Sequence, residues 1–225
     1  RRLDAAADLK ADPSGVYLRD DDGPIGGKIA FLFPGQGSQY PGMSAQLFLA
    51  FPQLSELLEI GRPWTPPLFP PCAFAPEADK ARKAALTDTR VAQPALGLCD
   101  LATANLLGQL GVAPDQLAGH SYGELAALAY AGAMDAAELL PLSEARGVAI
   151  LEAAGDDPGT MAGARATAAE IEPLVAGIDG VVLANLNAPR QTVLSGPTAA
   201  IEQAVAALSE AGISAKPIPV ACAFH

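Results

Sequence analysis

Leu117-Ala118-Gly119-His120-Ser121-Tyr122-Gly123-Glu124 sets one serine between two glycines. Leu117-Ala118 reads as the end of an apolar strand, and Glu124 to Ala131 as the start of an alanine-rich helix. A strand-to-helix turn this sharp lifts the serine hydroxyl above the top of a sheet. It also aims the first backbone N–H groups of the helix at whatever binds there. A lone G-x-S-x-G is weak evidence, and a plain turn serine is the alternative. The strand, turn and helix around Ser121 favour a nucleophile.

Outward from this turn the chain alternates strands and helices. Lys28 to Phe33 is a short apolar run stopped by Pro34-Gly35, which predicts a buried strand. Gln36-Gly37-Ser38-Gln39 follows as a tight loop. Ser44 is placed to cap a helix that turns Leu47, Phe48, Leu54, Leu57 and Leu58 inward. Arg62 to Pro76 holds six prolines and reads as an irregular surface segment. Pro94 suits the first turn of a helix that Gly111 ends. Asp135 with Glu138 is a capping-box variant opening a helix to Ala154, with Pro141 in its early turns. This alternation predicts a parallel α/β sheet.

Past Gly155 the elements shorten. Thr160 to Arg165 predicts a strand, and Thr167 with Glu170 a capping box for a helix to Ala176. Val181 to Leu186 and Gln191 to Ser195 predict two strands joined by an Asn-Ala-Pro turn. Thr198 to Ala211 predicts a helix closed by Gly212, and Ile213 to Ala221 a last strand. The order βαββαβ is that of a ferredoxin-like module. The expected organisation is a linker over 1–27, a large subdomain over 28–154 and 221–225, and an inserted small subdomain over 155–220.

The 225 residues are half hydrophobic, enough to bury a substantial core. Fourteen basic against 25 acidic residues leave a net charge of −11, which argues against nucleic-acid binding. Cys72, Cys99 and Cys222 are scattered without metal-ligand spacing, so reduced thiols and a cytoplasmic location are expected. No run of about twenty apolar residues predicts a membrane span. The polar first 27 residues read as a linker from a larger polypeptide or as a trimmed chain.

A serine hydroxyl needs a base. The chain has two histidines, His120 and His225. Adjacent residues of an extended strand point to opposite faces, so His120 should face away from the Ser121 hydroxyl and buttress the turn. His225 is assigned as the general base, with His120 the alternative. No Asp is obviously placed to orient His225, so a backbone carbonyl and a dyad would suffice. An oxyanion needs two N–H donors. Tyr122 supplies one, and Gly35-Gln36-Gly37 is the candidate for the other, with a simple turn as its alternative. Arg146, in an Ala/Leu/Ile-rich neighbourhood, wants a carboxylate. That partner is either a bound substrate or a local acid such as Glu144 or Glu152.

Together these residues resemble the malonyl-CoA:acyl carrier protein transacylase family and the acyltransferase domains of polyketide synthases. The matching motifs are Phe33-Pro34-Gly35-Gln36-Gly37-Ser38-Gln39, Gln93-Pro94-Ala95-Leu96, Gly119-His120-Ser121-Tyr122-Gly123-Glu124, Arg146, Asn187-Ala188-Pro189 and Ala223-Phe224-His225. Tyr122 after the serine looks most like the iterative synthases of the enediyne type. The resemblance implies a hydrolase-like α/β core with a parallel sheet, an inserted ferredoxin-like subdomain, and a site in the groove between them. It implies acylation of Ser121, His225 as base, and backbone N–H groups of Gln36 and Tyr122 as the oxyanion hole. Arg146 would grip the free carboxylate of malonyl. His120, Gln93, Asn187, Cys222 and Phe224 would line the substrate pocket.

Ala223-Phe224-His225 looks like the malonyl-selecting form, in which the Phe ring leaves little room for an α-methyl branch. Cys222 departs from it, standing where such domains usually carry His. Relatives continue beyond that His with further strands and helices. The implied partners are malonyl-CoA, an acyl carrier protein whose phosphopantetheine accepts the acyl group, and neighbouring domains of a synthase. No nucleic acid, membrane, metal or resident cofactor is implied. The rival readings are a serine hydrolase of the thioesterase or patatin-like type, and a binding module without catalysis. Arg146 discriminates, since a lipase gains nothing from a cation beside its acyl pocket.

Overall fold

A computed structural model describes residues 27–72, 75–154, 156–218, 220, 222 and 223. Residues 1–26 of the expected linker, Phe224 and His225 lie outside the described residues.

Strand β1 (Ala30–Phe33) pairs in parallel with β2 (Gln116–Gly119), with Phe33 opposite Gly119. Helix α6 (Gly123–Tyr130) follows β2 and returns Tyr130 over β1, its ring 5.7 Å from that of Phe31 and 6.0 Å from that of Phe33. Among the described residues the expected burial of β1 holds on the face that carries Phe31 and Phe33. Successive residues of a strand face opposite sides. Leu32, pointing away from Tyr130, is 75% exposed among the described residues.

The long helix α5 (Thr89–Gln109) is the axis of the larger core. Ala95, Leu98, Leu101 and Ala102 are buried on it in one cluster with Leu139 and Leu140 of helix α7 (Ala136–Ala154). Each fully buried leucine contributes about 1.5–3 kcal/mol relative to an exposed one. Asp88 caps α5 by accepting a hydrogen bond from the Arg90 N–H, so the helix starts well before Pro94. Pro94 therefore sits inside the helix, where it removes the bond to the Arg90 carbonyl. The Asp135–Glu138 box is present, each backbone N–H reaching the other's carboxylate at 3.0 and 2.9 Å.

Two proline-bearing stretches also depart from expectation. The helix predicted from Ser44 breaks at Pro52 into α1 (Ala45–Ala50), a 3-10 turn (Pro52–Leu54) and α2 (Ser55–Ile60). Arg62 to Pro76 is not uniformly irregular: it holds a 3-10 turn (Arg62–Trp64), helix α3 (Thr65–Leu68) and, at its end, the start of α4 (Pro76–Thr87). Pro63, Pro66, Pro67 and Pro76 fall at first-turn positions, where the missing N–H would have no partner in any case, and Pro70 and Pro71 lie in the irregular link between helices.

Residues 160–218 follow the order β3 (Thr160–Ala164), α8 (Ala168–Val175), β4 (Val182–Ala188), β5 (Gln191–Gly196), α9 (Thr198–Glu210), β6 (Ala215–Ile218). They form an antiparallel sheet in the order β4-β5-β3-β6. Ala162, Leu194, Ile171, Ile201 and Leu208 make a second hydrophobic cluster between this sheet and its helices. The Thr167–Glu170 capping box opens α8 as expected. The turn between β4 and β5 is Pro189-Arg190 rather than Asn-Ala-Pro, because Asn187 and Ala188 remain in the strand. β6 spans Ala215–Ile218 with Val220 outside it, while the expected end, Ala221, lies outside the described residues; Pro217 is tolerated because β6 is an edge strand among the described residues. Among the described residues no helix is long and apolar enough to cross a membrane.

Candidate active site

The turn at Ser121 is set by close backbone packing. A Cβ on Gly123 would fall on the Phe33 carbonyl of β1, and one on Gly119 on the backbone of Gly123 and Glu124. Only glycine fits either place. His120 N–H donates to the Phe33 carbonyl at 3.0 Å, extending the β1–β2 pairing to the turn, and Gly123 N–H donates to the His120 carbonyl at 3.0 Å. Squeezed between, Ser121 adopts φ 54°, a left-handed conformation that costs a non-glycine residue about 1–2 kcal/mol.

Tyr122 turns the other way. Its side chain is fully buried and its hydroxyl lies 2.8 Å from Ser143 Oγ. Ser143 gives its only proton to the Leu139 carbonyl at 2.7 Å, so Tyr122 is the donor of the pair. Burial raises the Tyr122 phenol well above its ordinary range, keeping it neutral. The Tyr122 backbone N–H sits just ahead of α6, among the donors a helix leaves without intrahelical partners.

Ser121 opens into a cavity of about 150 Å3. One wall is Gln36, Gln93, His120, Ser121 and Arg146. The other is Met161, Asn185, Asn187, Val193, Ile218 and Val220, from the four-stranded sheet and the residues just after it. Gln36 reaches this wall because Gly35 packs against the turn. A Cβ there would lie 2.6 Å from the His120 carbonyl oxygen and 3.3 Å from Ser121 Cβ. Gln36, Gln93 and Arg146 are linked. Arg146 Nη1 donates to Gln93 Oε1 at 2.9 Å, and Gln93 Nε2 donates to Gln36 Oε1 at 3.3 Å.

The local-acid alternative for Arg146 does not hold. Glu144 accepts from Trp64 Nε1 at 3.2 Å, and among the described residues Arg146 has no carboxylate partner. A half-buried guanidinium that hydrogen-bonds a neutral amide keeps its charge available for an anion.

The expected pocket residues divide. His120, Gln93 and Asn187 line the cavity, with His120 Nε2 3.2 Å from Asn187 Oδ1. Cys222 is buried but is not among the described lining residues; Val220 takes that role. Phe224 and His225 lie outside the described residues. Asn185 was missed, although it stands two residues before Asn187 on the same strand, at the spacing that returns to one face. The assembled groups provide a strained serine, a helix N-terminus beside it, and a cation lining the same small cavity. That set suits acyl transfer from a donor bearing a negative charge.

A family model described as "Acyl transferase domain" matches residues 75–225. The chain is 37% identical over 207 residues to the spectinabilin polyketide synthase system protein NorA' of Streptomyces orinoci, covering 88% of this chain and 6% of that protein. It is 35% identical over 204 residues to the malonyl CoA-acyl carrier protein transacylase of Bacillus subtilis (strain 168), covering 88% of this chain and 63% of that one. Among solved structures it is similar to the acyltransferase domain from the second module of the salinomycin polyketide synthase. There the TM-score is 0.77 at 36% identity, over 89% of this chain and 46% of that one. It is also similar to a malonyl-transacylase in complex with its type II polyketide synthase acyl-carrier protein, with TM-score 0.77, 30% identity, and 88% and 65% coverage.

Proposed function

The chain belongs to the acyl transferase domain family, and from that premise we propose that it moves a malonyl group from malonyl-CoA to the phosphopantetheine thiol of an acyl carrier protein. The setting is polyketide or fatty acid synthesis, beside neighbouring domains of a synthase. The observation that carries this reading is the pairing of Ser121 at φ 54° with an Arg146 that has no carboxylate partner among the described residues, both in the lining of one small cavity. In this reading the parallel strands and their helices are the hydrolase-like core. Residues 155–220 are the inserted ferredoxin-like subdomain, as the order βαββαβ and the sheet order β4-β5-β3-β6 support.

The cycle is ping-pong. His225 takes the Ser121 hydroxyl proton as Oγ attacks the thioester carbonyl carbon. Backbone N–H groups of Gln36 and Tyr122 hold the oxyanion. The C–S bond breaks and CoA leaves with the proton. Arg146 holds the free carboxylate of the malonyl ester until the pantetheine thiol attacks the same carbonyl. The ester C–O bond then breaks and Ser121 recovers its proton. No resident metal or redox group takes part.

Intact-mass measurement after incubation with malonyl-CoA tests the reading. A malonyl adduct that vanishes in Ser121→Ala is the expected result. Release of CoA with no adduct and no need for a carrier protein would turn the reading toward a serine hydrolase.

A further inference from the structure

The chain of side chains that starts at Arg146 does not stop at Gln36. Gln36 Nε2 lies 3.2 Å from Thr89 Oγ1 and 3.5 Å from the Thr87 carbonyl. The polarity of the whole series is fixed from one end. A guanidinium has donors only, so Gln93 must turn its oxygen to Arg146. Its Nε2 then faces Gln36 Oε1, and Gln36 Nε2 must donate onward to Thr89. Reversing one amide would set donor against donor at one end and acceptor against acceptor at the other. Gln93 is 1% exposed and Thr89 fully buried, so bulk water cannot replace a lost partner there.

The two ends of the series also meet through the backbone. Gly147, the residue after Arg146, presses on the start of α5. A Cβ on it would lie 2.9 Å from the Thr89 carbonyl carbon and 2.8 Å from Arg90 Cα. Arg146 and Thr89 are thus joined twice, once by close backbone packing and once by three hydrogen bonds through two amides.

We infer that Thr89 is a positioning residue for selection of the acyl group: its buried hydroxyl anchors the amides of Gln36 and Gln93, and so holds Arg146 in the pose that receives a substrate carboxylate. The inference rests on the carboxylate-binding reading of Arg146. It adds that selectivity for a charged acyl chain depends on a hydroxyl that does not itself line the cavity. Without that acceptor, Gln36 Nε2 keeps only the longer contact to the Thr87 carbonyl. Gln36 and Gln93 are then held less firmly, and the oxygen that Gln93 offers Arg146 is no longer fixed in place.

The test compares malonyl-CoA with acetyl-CoA in acylation of Ser121, reading kcat and KM for each. Thr89→Val keeps the shape and removes the hydroxyl. It should raise the malonyl KM about ten-fold, as loss of one buried hydrogen bond would, with kcat held within about two-fold. The acetyl KM should stay unchanged, since acetyl has no carboxylate to place. Thr89→Ser should restore the malonyl KM. Thr89→Ala, which adds no bulk, takes the place of Thr89→Val if that variant does not fold. In an Arg146→Ala background, removing the Thr89 hydroxyl should cost malonyl nothing further.

A kcat loss shared equally by both donors would mark a merely structural role and overturn the inference. So would an unchanged malonyl KM, a Thr89→Ser variant that fails to rescue, or an undiminished effect in the Arg146→Ala background. The underlying reading fails separately. It falls if the unmodified protein takes no malonyl onto Ser121, or if Arg146→Ala keeps the full preference for malonyl over acetyl.

Discussion

His120 Nε2 lies 3.2 Å from Asn187 Oδ1, so the residue before Ser121 is tied to strand β4 on the opposite wall of the cavity. The contact bridges the two walls of the cavity beside Ser121. Asn187→Ala should cut the rate of Ser121 acylation about ten-fold, the loss expected from one hydrogen bond that orients the site. Thermal unfolding should shift little, because both side chains are exposed and neither supports a core. A large fall in melting temperature with unchanged acylation would contradict this assignment.

The conformation of Ser121 predicts a conflict between stability and activity. Ser121→Ala and Ser121→Gly both lack the hydroxyl and should form no adduct. They differ in backbone, since glycine relieves the strain at φ 54° while making the unfolded chain more flexible. The glycine variant should be the more stable of the two by about 0.5–1 kcal/mol in urea unfolding. An alanine variant as stable as the glycine one, or more so, would mean that the left-handed turn is not strained.

The turn at Ser121, both capping boxes and the βαββαβ order were legible because each is encoded within a few residues. Glu138 and Glu170 stand three positions from the residues they cap, and the glycines around Ser121 leave the backbone few alternatives. Long-range partners were not legible. Asp157 caps helix α9 by accepting from Thr198 N–H and Oγ1 at 3.0 and 2.7 Å, across 41 residues. Nothing local to either residue announces it. The prolines of 62–76 misled because proline breaks a helix interior yet suits a first turn, and sequence alone does not say which turn it occupies. In the site, the identities of Gln36, Gln93 and Arg146 were readable, but their linkage was not. It depends on the Gly35 loop and helices α5 and α7 converging, which only the packed chain specifies.

Gly97 on α5 faces Tyr122, and a Cβ there would fall on the Tyr122 hydroxyl. Gly97→Ala should therefore destabilise the fold by about 2–3 kcal/mol through overpacking, despite the better helix propensity of alanine. Tyr122→Phe removes one hydrogen bond while Ser143 keeps its bond to Leu139, which should cost about 1 kcal/mol. Phenylalanine also vacates the space that the new methyl needs. The double variant should therefore be clearly less destabilised than the sum of the two singles. Strict additivity in denaturant unfolding would show that the two sites do not touch.

Asp100 on α5 gives the pH dependence a definite sign. Burial raises its carboxyl from 3.8 to about 7, and Oδ2 has no hydrogen-bond partner among the described residues. The folded state therefore holds this proton more tightly than the unfolded chain. Its contribution is fully present below about pH 4, where both states are protonated, and is lost as pH rises toward 7. Asp88 behaves oppositely. The Arg90 side chain holds its carboxyl below the usual range, so its contribution is lost only as pH falls below about 4, outside this window. Asp100→Asn, neutral at every pH, should thus gain on the unmodified chain as pH rises from 4 to 8. The gain should be on the order of 4 kcal/mol at most, read as the difference in unfolding free energy. A difference that stays flat across that range would mean that Asp100 is not buried as a carboxylic acid.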